Sequence, residues 1–240
     1  MPGERGAAAA LIAIVFSLAG GAYAEPADPA RLGDVDRGAL VTTYAPGVFA
    51  PAYEPPAPGT YDLPVIRRIR DHPLVDADGT PTTLFALTDD RFAVVAFVYL
   101  SCVEALGCPM SHAVLHGLDR TLADDPGLGA RVRLVTLSFD PERDTPQRLG
   151  AQRRLHEPKT DWRFAVSATD ADLRALLDDF DQPVAKLRYE DGTWSGLFRH
   201  VLKVFLVDPQ HRVRAIYSTG FLDEKLVLND LRTLALARQP

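Results

Sequence analysis

The sequence predicts an α/β domain with a mixed central sheet flanked by helices, preceded by a proline-rich N-terminal arm. Three observations support this fold class. From about residue 71 onward, segments with the pattern of a strand alternate with segments that begin at helix-capping residues. The run Phe92–Leu100 is apolar almost throughout, which is typical of a strand buried on both faces of a sheet. A strand hairpin and a last helix then close the chain.

Residues 1–24 are predicted to be a cleaved signal peptide rather than part of the fold. An apolar run covers Ala7–Ala22, and Ala22-Tyr23-Ala24 supplies the small-x-small pattern of a cleavage site. The alternative is an uncleaved membrane anchor, but the run is short for a span, and Gly20 and Gly21 interrupt it. We therefore expect an exported, periplasmic protein whose thiols meet oxidising conditions, with no membrane span in the mature chain.

Residues 25–70 are predicted to form an extended arm, because they are rich in proline and poor in periodicity. Proline fixes φ and removes a backbone donor, so this segment suits neither a helix nor a central strand. It is either a spacer or a segment that lies over the domain. Its aromatic residues favour partial docking, and they are Tyr44, Phe49, Tyr53 and Tyr61.

The domain is predicted to span residues 71–240 and to begin with a hairpin. The segment His72–Leu84 carries Asp78-Gly79, a strong turn signal between two short strands. The buried strand described above follows it. A helix is predicted over Pro109–Ala123, because proline is well suited to the first turn of a helix. The next strand is Arg131–Phe139.

The second half of the domain alternates in the same way. Thr145 and Thr169 are predicted N-caps of two helices, because a threonine hydroxyl accepts a hydrogen bond from a free N–H of the first turn. The remaining elements are a strand at Trp162–Val166, a hairpin of His200–Asp208 and Arg212–Ser218, and a helix from Asp223 to about Arg238. Glu190–His200, before the hairpin, is predicted to be a loop. This order, with both cysteines between the first buried strand and its helix, is that of a thioredoxin-like fold.

The composition is that of an ordinary globular protein and argues against a nucleic-acid partner. The chain has 240 residues, of which 47% are hydrophobic, and a formal net charge of −6 with a pI of about 5.5. Nucleic-acid-binding proteins usually carry a basic stripe, whereas the arginines here are spread through the sequence. Two cysteines are too few for a disulfide scaffold but suffice for one bridge or one metal site.

Cys102 and Cys108 are the only cysteines, and five residues lie between them at the predicted strand-to-helix junction. A structural staple, a redox pair and a soft-metal site are the alternatives. A disulfide that closes so short a loop constrains little of the unfolded chain, which disfavours a purely structural role. A helix N-terminus carries partial positive charge and lowers the pKa of a thiol, and the thiolate is both nucleophile and metal ligand. Cys108, just before Pro109, fits that position.

A metal site needs a further ligand, and the histidines offer two options. His112 and His116 follow Cys108 by one and two helical turns, so the three side chains would share one helix face. Histidines at this spacing are often only half-buried surface residues, however. His200 opens a predicted strand that should lie next to the cysteine loop, after a loop long enough to move it. Two thiolates and one imidazole suit a soft ion such as Cu(I), with Zn(II) as a competitor.

Three segments of the sequence resemble the SCO/SenC family of copper-binding assembly factors. They are VVAFVYLSC with CPMSHAVL, then LVTLSFDPERDTPQRL, and finally HVLKVFLVDPQHRVRAIY. The most specific match is SFDPERDTP, and the similarity runs from about Asp71 to Leu236. The resemblance implies a thioredoxin-like SCO/SenC domain that binds copper, as Cu(I) or Cu(II).

Carried over residue by residue, the resemblance implies that Cys102, Cys108 and His200 bind copper and that the two cysteines also form a redox disulfide. Asp140 matches an aspartate of the family and is expected to shape the loop rather than to bind metal. Met110 could add a thioether near the site, although methionine readily fills gaps and a packing role is expected. The family usually places three residues between its cysteines, whereas this chain has five. The wider loop alters the strain of a disulfide and therefore its reduction potential.

The resemblance, together with the predicted export, implies a periplasmic metallochaperone rather than an enzyme. It would deliver copper to, or assist the maturation of, a client copper enzyme such as cytochrome c oxidase, with a copper donor or a thiol reductant as second partner. The alternative is a thiol-disulfide oxidoreductase that keeps a client's cysteines reduced. An ordinary thioredoxin has two residues between its cysteines. It also has a proline opposite the cysteines, where this chain has His200. A related peroxidase needs a threonine shortly before the reactive cysteine, and Tyr99-Leu100-Ser101 lacks one.

Overall fold

The computed structural model of the chain describes residues 54–104 and 107–237, and these residues confirm the predicted α/β fold. They form ten strands and six helices, arranged as one eight-stranded mixed sheet, a separate two-stranded sheet and flanking helices. The predicted signal peptide at residues 1–24 lies outside the described residues, as does most of the proline-rich arm. Within the described ranges, none of the helices combines the length and the apolar character that crossing a membrane requires.

The secondary-structure elements follow the predicted alternation, with several short additions. The strands are β1 (Arg67–Arg68), β2 (Pro73–Asp76), β3 (Pro81–Thr83), β4 (Phe92–Val98), β5 (Val132–Ser138), β6 (Trp162–Val166), β7 (Val184–Arg188), β8 (Trp194–His200), β9 (Lys203–Val207) and β10 (Arg212–Ser218). The helices are α1 (Leu84–Thr88), α2 (Cys108–Asp124), α3 (Pro126–Gly129), α4 (Pro146–His156), α5 (Asp170–Phe180) and α6 (Glu224–Leu236). The sequence does not predict β1, β7, β8, α1 or α3.

The large sheet places β4 near its centre, in the strand order β1-β10-β9-β4-β5-β6-β2-β3. β4 is parallel to β5 on one side and antiparallel to β9 on the other. β5 and β6 are also parallel, and α2 and α4 provide the crossover connections that parallel strands need. Every residue of β4 and β5 is buried, as expected for strands covered on both faces. The segment between the end of this central strand and the start of α2 carries the cysteines.

The helices begin where the predicted capping chemistry places them. The hydroxyls of Thr145 and Thr169 each accept a hydrogen bond from a backbone N–H in the first turn of α4 and α5. Asp223 caps α6 in the same way. α2 follows Gly107, which has no side chain to act as a cap, and carries Pro109 in its first turn.

The described end of the arm docks on the domain. The Tyr61 hydroxyl donates to Asp230 of α6 at 2.6 Å, and the Gly59 N–H donates to the Thr233 hydroxyl at 3.1 Å. β1 pairs antiparallel with β10, so the sheet extends into the segment predicted to be arm. Docking is thus seen for Tyr61. The other aromatic residues expected to dock lie outside the described residues, and they are Tyr44, Phe49 and Tyr53.

The predicted loop before His200 is wrong, because most of it forms a strand. β7 and β8 pair antiparallel, with Val184 opposite His200. The register shifts within β7, and Gly196 of β8 has a positive φ of 83°. Both irregularities break the alternation by which a strand is recognised in a sequence. His200 is therefore the last residue of β8, and the next strand begins at Lys203 rather than at His200.

Candidate metal centre

Both cysteines lie at the junction between β4 and α2, as the sequence predicts. After Val98 the chain passes Tyr99 and Leu100 and reaches Cys102, which is half-buried. Cys108 is the first residue of α2 and is only 2% exposed. Both are free thiols. The Tyr99 N–H donates to Cys108 Sγ over 3.4 Å, which anchors the buried sulfur to the end of the central strand.

Gly107 allows the two ends of the cysteine loop to approach each other. Its N–H donates to the Glu104 carbonyl oxygen at 2.8 Å. A Cβ atom at this position would lie 3.1 Å from that oxygen and 3.3 Å from Cys102 Sγ. Both separations are tighter than ordinary van der Waals contact, so a larger residue would require the Glu104 carbonyl oxygen and the Cys102 sulfur to shift by a few tenths of an ångström.

His200 reaches the cysteines from the β7–β8 hairpin. Its Nε2 lies 3.9 Å from Cys108 Sγ. The imidazole packs against two aromatic rings, with centroid distances of 5.7 Å to Tyr99 and 5.3 Å to Phe139. Its Nδ1 is buried and finds no hydrogen-bond partner among the described residues. His200 thus lies next to the cysteine loop, as predicted, although it ends β8 instead of opening the following strand.

The two sulfurs and one imidazole nitrogen form a compact group of donors. The ligand atoms of Cys102, Cys108 and His200 all lie within 4.8 Å of one another. Bonds from a metal ion to sulfur or imidazole are about 2.0–2.3 Å long, so an ion between these atoms requires only small side-chain shifts. In the part of the chain that the structure describes, no other three histidine, cysteine or acidic side chains converge in this way. This donor set fits a soft ion.

The two thiols hold their protons unequally. A hydrogen bond from Cys108 lowers the pKa of Cys102 to about 5, although partial burial opposes this shift. The hydrogen bond to Cys102, together with burial, raises the pKa of Cys108 well above its usual range. The sequence predicts the lowered pKa for Cys108, but burial beside a thiolate outweighs the helix N-terminus there. At neutral pH Cys102 is the thiolate, while burial raises the pKa of Tyr99 to about 12 and keeps it neutral.

Asp144 holds the backbone that leads into the cysteine loop, and it is not among the residues predicted from the sequence. Its side chain is buried, and Oδ2 accepts the Leu100 N–H at 2.9 Å and the Ser138 hydroxyl at 2.7 Å. Burial raises the pKa of Asp144, and these two hydrogen bonds oppose the rise. Leu100 precedes Cys102 by two residues, and Ser138 is the last residue of β5. The Asp144 carboxyl therefore ties the start of the cysteine loop to the end of β5. The motif DPERDTP contains Asp144 and was the available signal.

Asp140, from the same motif, lies near the site without joining the three donors. It is buried and forms an ion pair with Arg143. The Arg143 guanidinium lies over the indole of Trp194 in β8, 4.3 Å from the ring centroid. The loop after β5 therefore contacts the hairpin that carries His200, which supports the expected loop-shaping role of Asp140.

Met110 and two histidines complete the surroundings of the cysteines. Met110 is 7% exposed and packs in the hydrophobic core, as expected. His112 and His116 are half-buried, and they line a cavity of about 490 Å³ together with both cysteines. Neither belongs to the group of converging donors found among the described residues. Both rings instead face His156 at the end of α4, a residue that the sequence does not single out.

The sheet order and the position of the thiols define a thioredoxin-like protein with a candidate soft-metal site. The model of the SCO1/SenC family matches residues 67–236. The chain therefore belongs to the SCO1/SenC family, as its three motif segments predict. A comparison with curated proteins finds no match.

Solved structures share this fold at low sequence identity. Copper-bound ScoI from Arabidopsis thaliana is 19% identical with a TM-score of 0.58, over 70% of this chain and 98% of that chain. An SCO1/SenC family lipoprotein from Bacillus anthracis is 23% identical with a TM-score of 0.58, over 70% and 95%. BsSco, described as a member of the Sco family of cytochrome c oxidase assembly proteins, is 18% identical with a TM-score of 0.55, over 73% and 98%. These likenesses confirm the thioredoxin-like fold.

Proposed function

We propose that this chain binds copper and delivers it to, or assists the maturation of, a copper enzyme such as cytochrome c oxidase. The observation that carries the proposal is the convergence of Cys102, Cys108 and His200 within 4.8 Å. Family membership and the likeness to a structure with copper bound support copper as the metal. Two sulfurs and an imidazole favour Cu(I), with Cu(II) as a second bound state and Zn(II) as a competitor.

The protonation of the thiols prepares this site for a cation. Cys102 has a pKa of about 5 and is a thiolate at neutral pH, whereas Cys108 keeps its proton. A bound cation stabilises the second thiolate, so binding at neutral pH releases about one proton per ion. His200 supplies the third ligand through an imidazole whose position the hairpin determines.

The accessible side of the site suits transfer to a partner. Cys102 is half-buried, and the next residue, Val103, is 85% exposed. Val201, next to His200, is also exposed. A client surface that covers these apolar side chains would bring its own thiol or imidazole to the ion. Ligand exchange would then begin at Cys102, because Cys108 is buried in the core.

The proposal places this activity in the periplasm after cleavage of residues 1–24. The apolar run Ala7–Ala22 and the pattern Ala22-Tyr23-Ala24 support export. Residues 25–70 would then be the arm, ahead of the copper-binding domain at residues 71–240. A thiol reductant is a required partner there, since copper binds only when both cysteines are reduced in an oxidising compartment.

The unequal thiols favour thiol–disulfide exchange as a second candidate function. The Cys102 thiolate attacks a client disulfide, forms a mixed disulfide and releases one client thiolate. Cys108 then loses its proton and attacks the Cys102 sulfur, which releases the second client thiolate and leaves a Cys102–Cys108 disulfide. The client gains two electrons and this chain loses two, so an external dithiol must reduce the disulfide before another cycle.

Titration of Cu(I) into the reduced, tag-free chain tests the copper proposal. With a chromophoric Cu(I) chelator as competitor, we expect about one tightly bound Cu(I) per chain. Cys102→Ser and Cys108→Ser should each abolish tight binding, because an oxygen replaces a soft sulfur ligand. Ser101→Ala changes the same loop without removing sulfur and should bind like the wild type. Either cysteine variant competing as well as the wild type would overturn the site.

A further inference from the structure

A second group of imidazoles lies in the cavity beside the cysteines. His112 and His116 are about one helical turn apart on α2, so their side chains project from one face of the helix. His156, the last residue of α4, faces both of them. Its ring centroid lies 4.8 Å from that of His112 and 6.1 Å from that of His116. All three rings line the cavity of about 490 Å³ that also reaches Cys102 and Cys108.

These separations suit a shared metal ion. Bonds from a metal to imidazole nitrogen are about 2.0–2.1 Å long, so two rings on one ion have centroids up to about 6 Å apart. The stretch from His112 to His116 has the i, i+4 spacing by which two histidines on a helix bind zinc in metalloproteases. His156 supplies a third imidazole from a different helix, and three protein ligands with an open position make a common metal site.

The surroundings leave these nitrogens available as ligands. His116 Nδ1 is buried and has no hydrogen-bond partner within the described part of the chain. Burial lowers the pKa of His112 to about 4, with a smaller contribution from His156, and burial also lowers the pKa of His156. The lowered pKa values of His112 and His156 favour their neutral form, which is the form of imidazole that binds metal. Asp119, buried three residues after His116, contributes negative charge near His156 that would offset the charge of an ion.

The rings require one rearrangement before they converge. His112 and His156 are stacked with an angle of 23° between their ring planes. His156 Nε2 lies 3.1 Å from the side-chain nitrogen of Gln152. Metal binding would require the His156 ring to rotate about χ2, which breaks this contact and the stacking. Bonds to a metal ion would compensate for both losses.

We propose that His112, His116 and His156 form a second metal site that binds copper separately from the cysteine pair and His200. Three imidazoles without sulfur favour Cu(II), which has the highest affinity for nitrogen ligands among the divalent first-row ions. The two-sulfur site favours Cu(I) instead. Because both cysteines line the same cavity as the three imidazoles, copper held by the imidazoles would lie beside the cysteines. This site goes beyond the proposed function and does not depend on it.

Titration of Cu(II) alone into a chain without thiols tests this site. In the tag-free chain carrying Cys102→Ser and Cys108→Ser, we expect one bound Cu(II) per chain, with nitrogen hyperfine structure in its electron paramagnetic resonance spectrum. His116→Gln or His156→Gln in that background should weaken binding by at least about tenfold, since even outer-shell changes cost this much. At the same Cu(II) concentration, the melting temperature should rise in the parent and should rise less in these two variants.

A matched control removes an imidazole elsewhere. His211 has a φ of 56°, which asparagine tolerates, so His211→Asn should fold normally and bind Cu(II) like the parent. The proposal is overturned if the parent binds no Cu(II), if both glutamine variants bind it equally well, or if only His200→Ala abolishes binding. The Cu(I) titration of the wild type and its single cysteine variants tests the proposed function independently. Failure of the histidine site can therefore be distinguished from failure of the proposed function.

Discussion

Replacing Asp144 with alanine should damage the cysteine loop far more than replacing an exposed acid. The buried carboxyl accepts the Leu100 N–H at 2.9 Å and the Ser138 hydroxyl at 2.7 Å. Alanine leaves both donors without this acceptor, and each unsatisfied buried donor costs about 1–3 kcal/mol. Their sum is about 2–6 kcal/mol. Removal of the carboxyl also relieves the desolvation that raises the pKa of Asp144, so we expect a net loss of about 2–4 kcal/mol in the free energy of unfolding.

The same change should weaken metal binding, because Leu100 leads directly into Cys102. Loss of an outer support of a metal ligand typically costs about 10- to 100-fold in affinity. Urea unfolding of the reduced apo protein measures the stability, and the Cu(I) competition titration measures the affinity. Asp144→Asn keeps the volume and one acceptor and should give an intermediate result. Asp90→Asn removes the charge of a side chain that is 89% exposed, at a φ of 50° that asparagine tolerates, and should match the wild type in both assays.

The reasoning fails if Asp144→Ala loses less than about 1 kcal/mol, the size expected of an ordinary substitution. It also fails if the variant is destabilised but binds Cu(I) like the wild type. The first outcome would show that water replaces the lost acceptor. The second would show that the position of Leu100 does not control the position of Cys102.

Three further predictions concern the site directly. His200→Ala should weaken Cu(I) binding and fail to restore a copper enzyme in a deletion strain at limiting copper. It should keep most exchange activity toward a small disulfide, because exchange needs only a thiolate and a leaving group. Alkylation of Cys102 in the reduced apo protein should show a midpoint at about pH 5, with the reactive thiolate present above it, and Cys108→Ala should raise that midpoint because the hydrogen-bond donor is lost. Trp194→Ala should weaken Cu(I) binding by about two- to thirtyfold, since the Arg143 guanidinium loses a ring 4.3 Å away that helps to hold the hairpin.

Each of these predictions has a control and a contrary result. His112→Ala should not affect the Cu(I) site, and full copper-enzyme activity in the His200→Ala strain at normal protein levels would favour the exchange function instead. An alkylation midpoint that stays the same in Cys108→Ala would show that the buried thiol does not lower the pKa of Cys102. Trp194→Phe retains an aromatic face for Arg143 and should lie close to the wild type.

Elements with a strong local signal agree closely with their prediction. β6 occupies Trp162–Val166, the predicted range, and α5 starts after the predicted cap at Thr169. The apolar run that begins at Phe92 is a fully buried central strand. In each case the cause lies in neighbouring residues, because a capping hydroxyl acts within one helical turn and an apolar run makes its own strand suitable for burial.

Local patterns were insufficient for the hairpin that carries His200. Gly196 and the register shift in β7 remove the alternation that would have indicated two strands, and the pairing between them is what makes them strands. The role of Asp144 depends on the fold for a related reason. A carboxylate in a polar motif resembles any surface acid until the fold places it against Leu100.

The sequence by itself determined the fold class and the place of both thiols, between a buried strand and the helix that follows it. The motifs also predicted the three candidate donors that the structure brings within 4.8 Å. Only the tertiary structure decided that the pKa of Cys102 is the lowered one, that β8 supplies His200, and that His156 faces the two histidines of α2. These properties depend on burial and on contacts between elements far apart in the chain, and neither is encoded in the spacing of nearby residues.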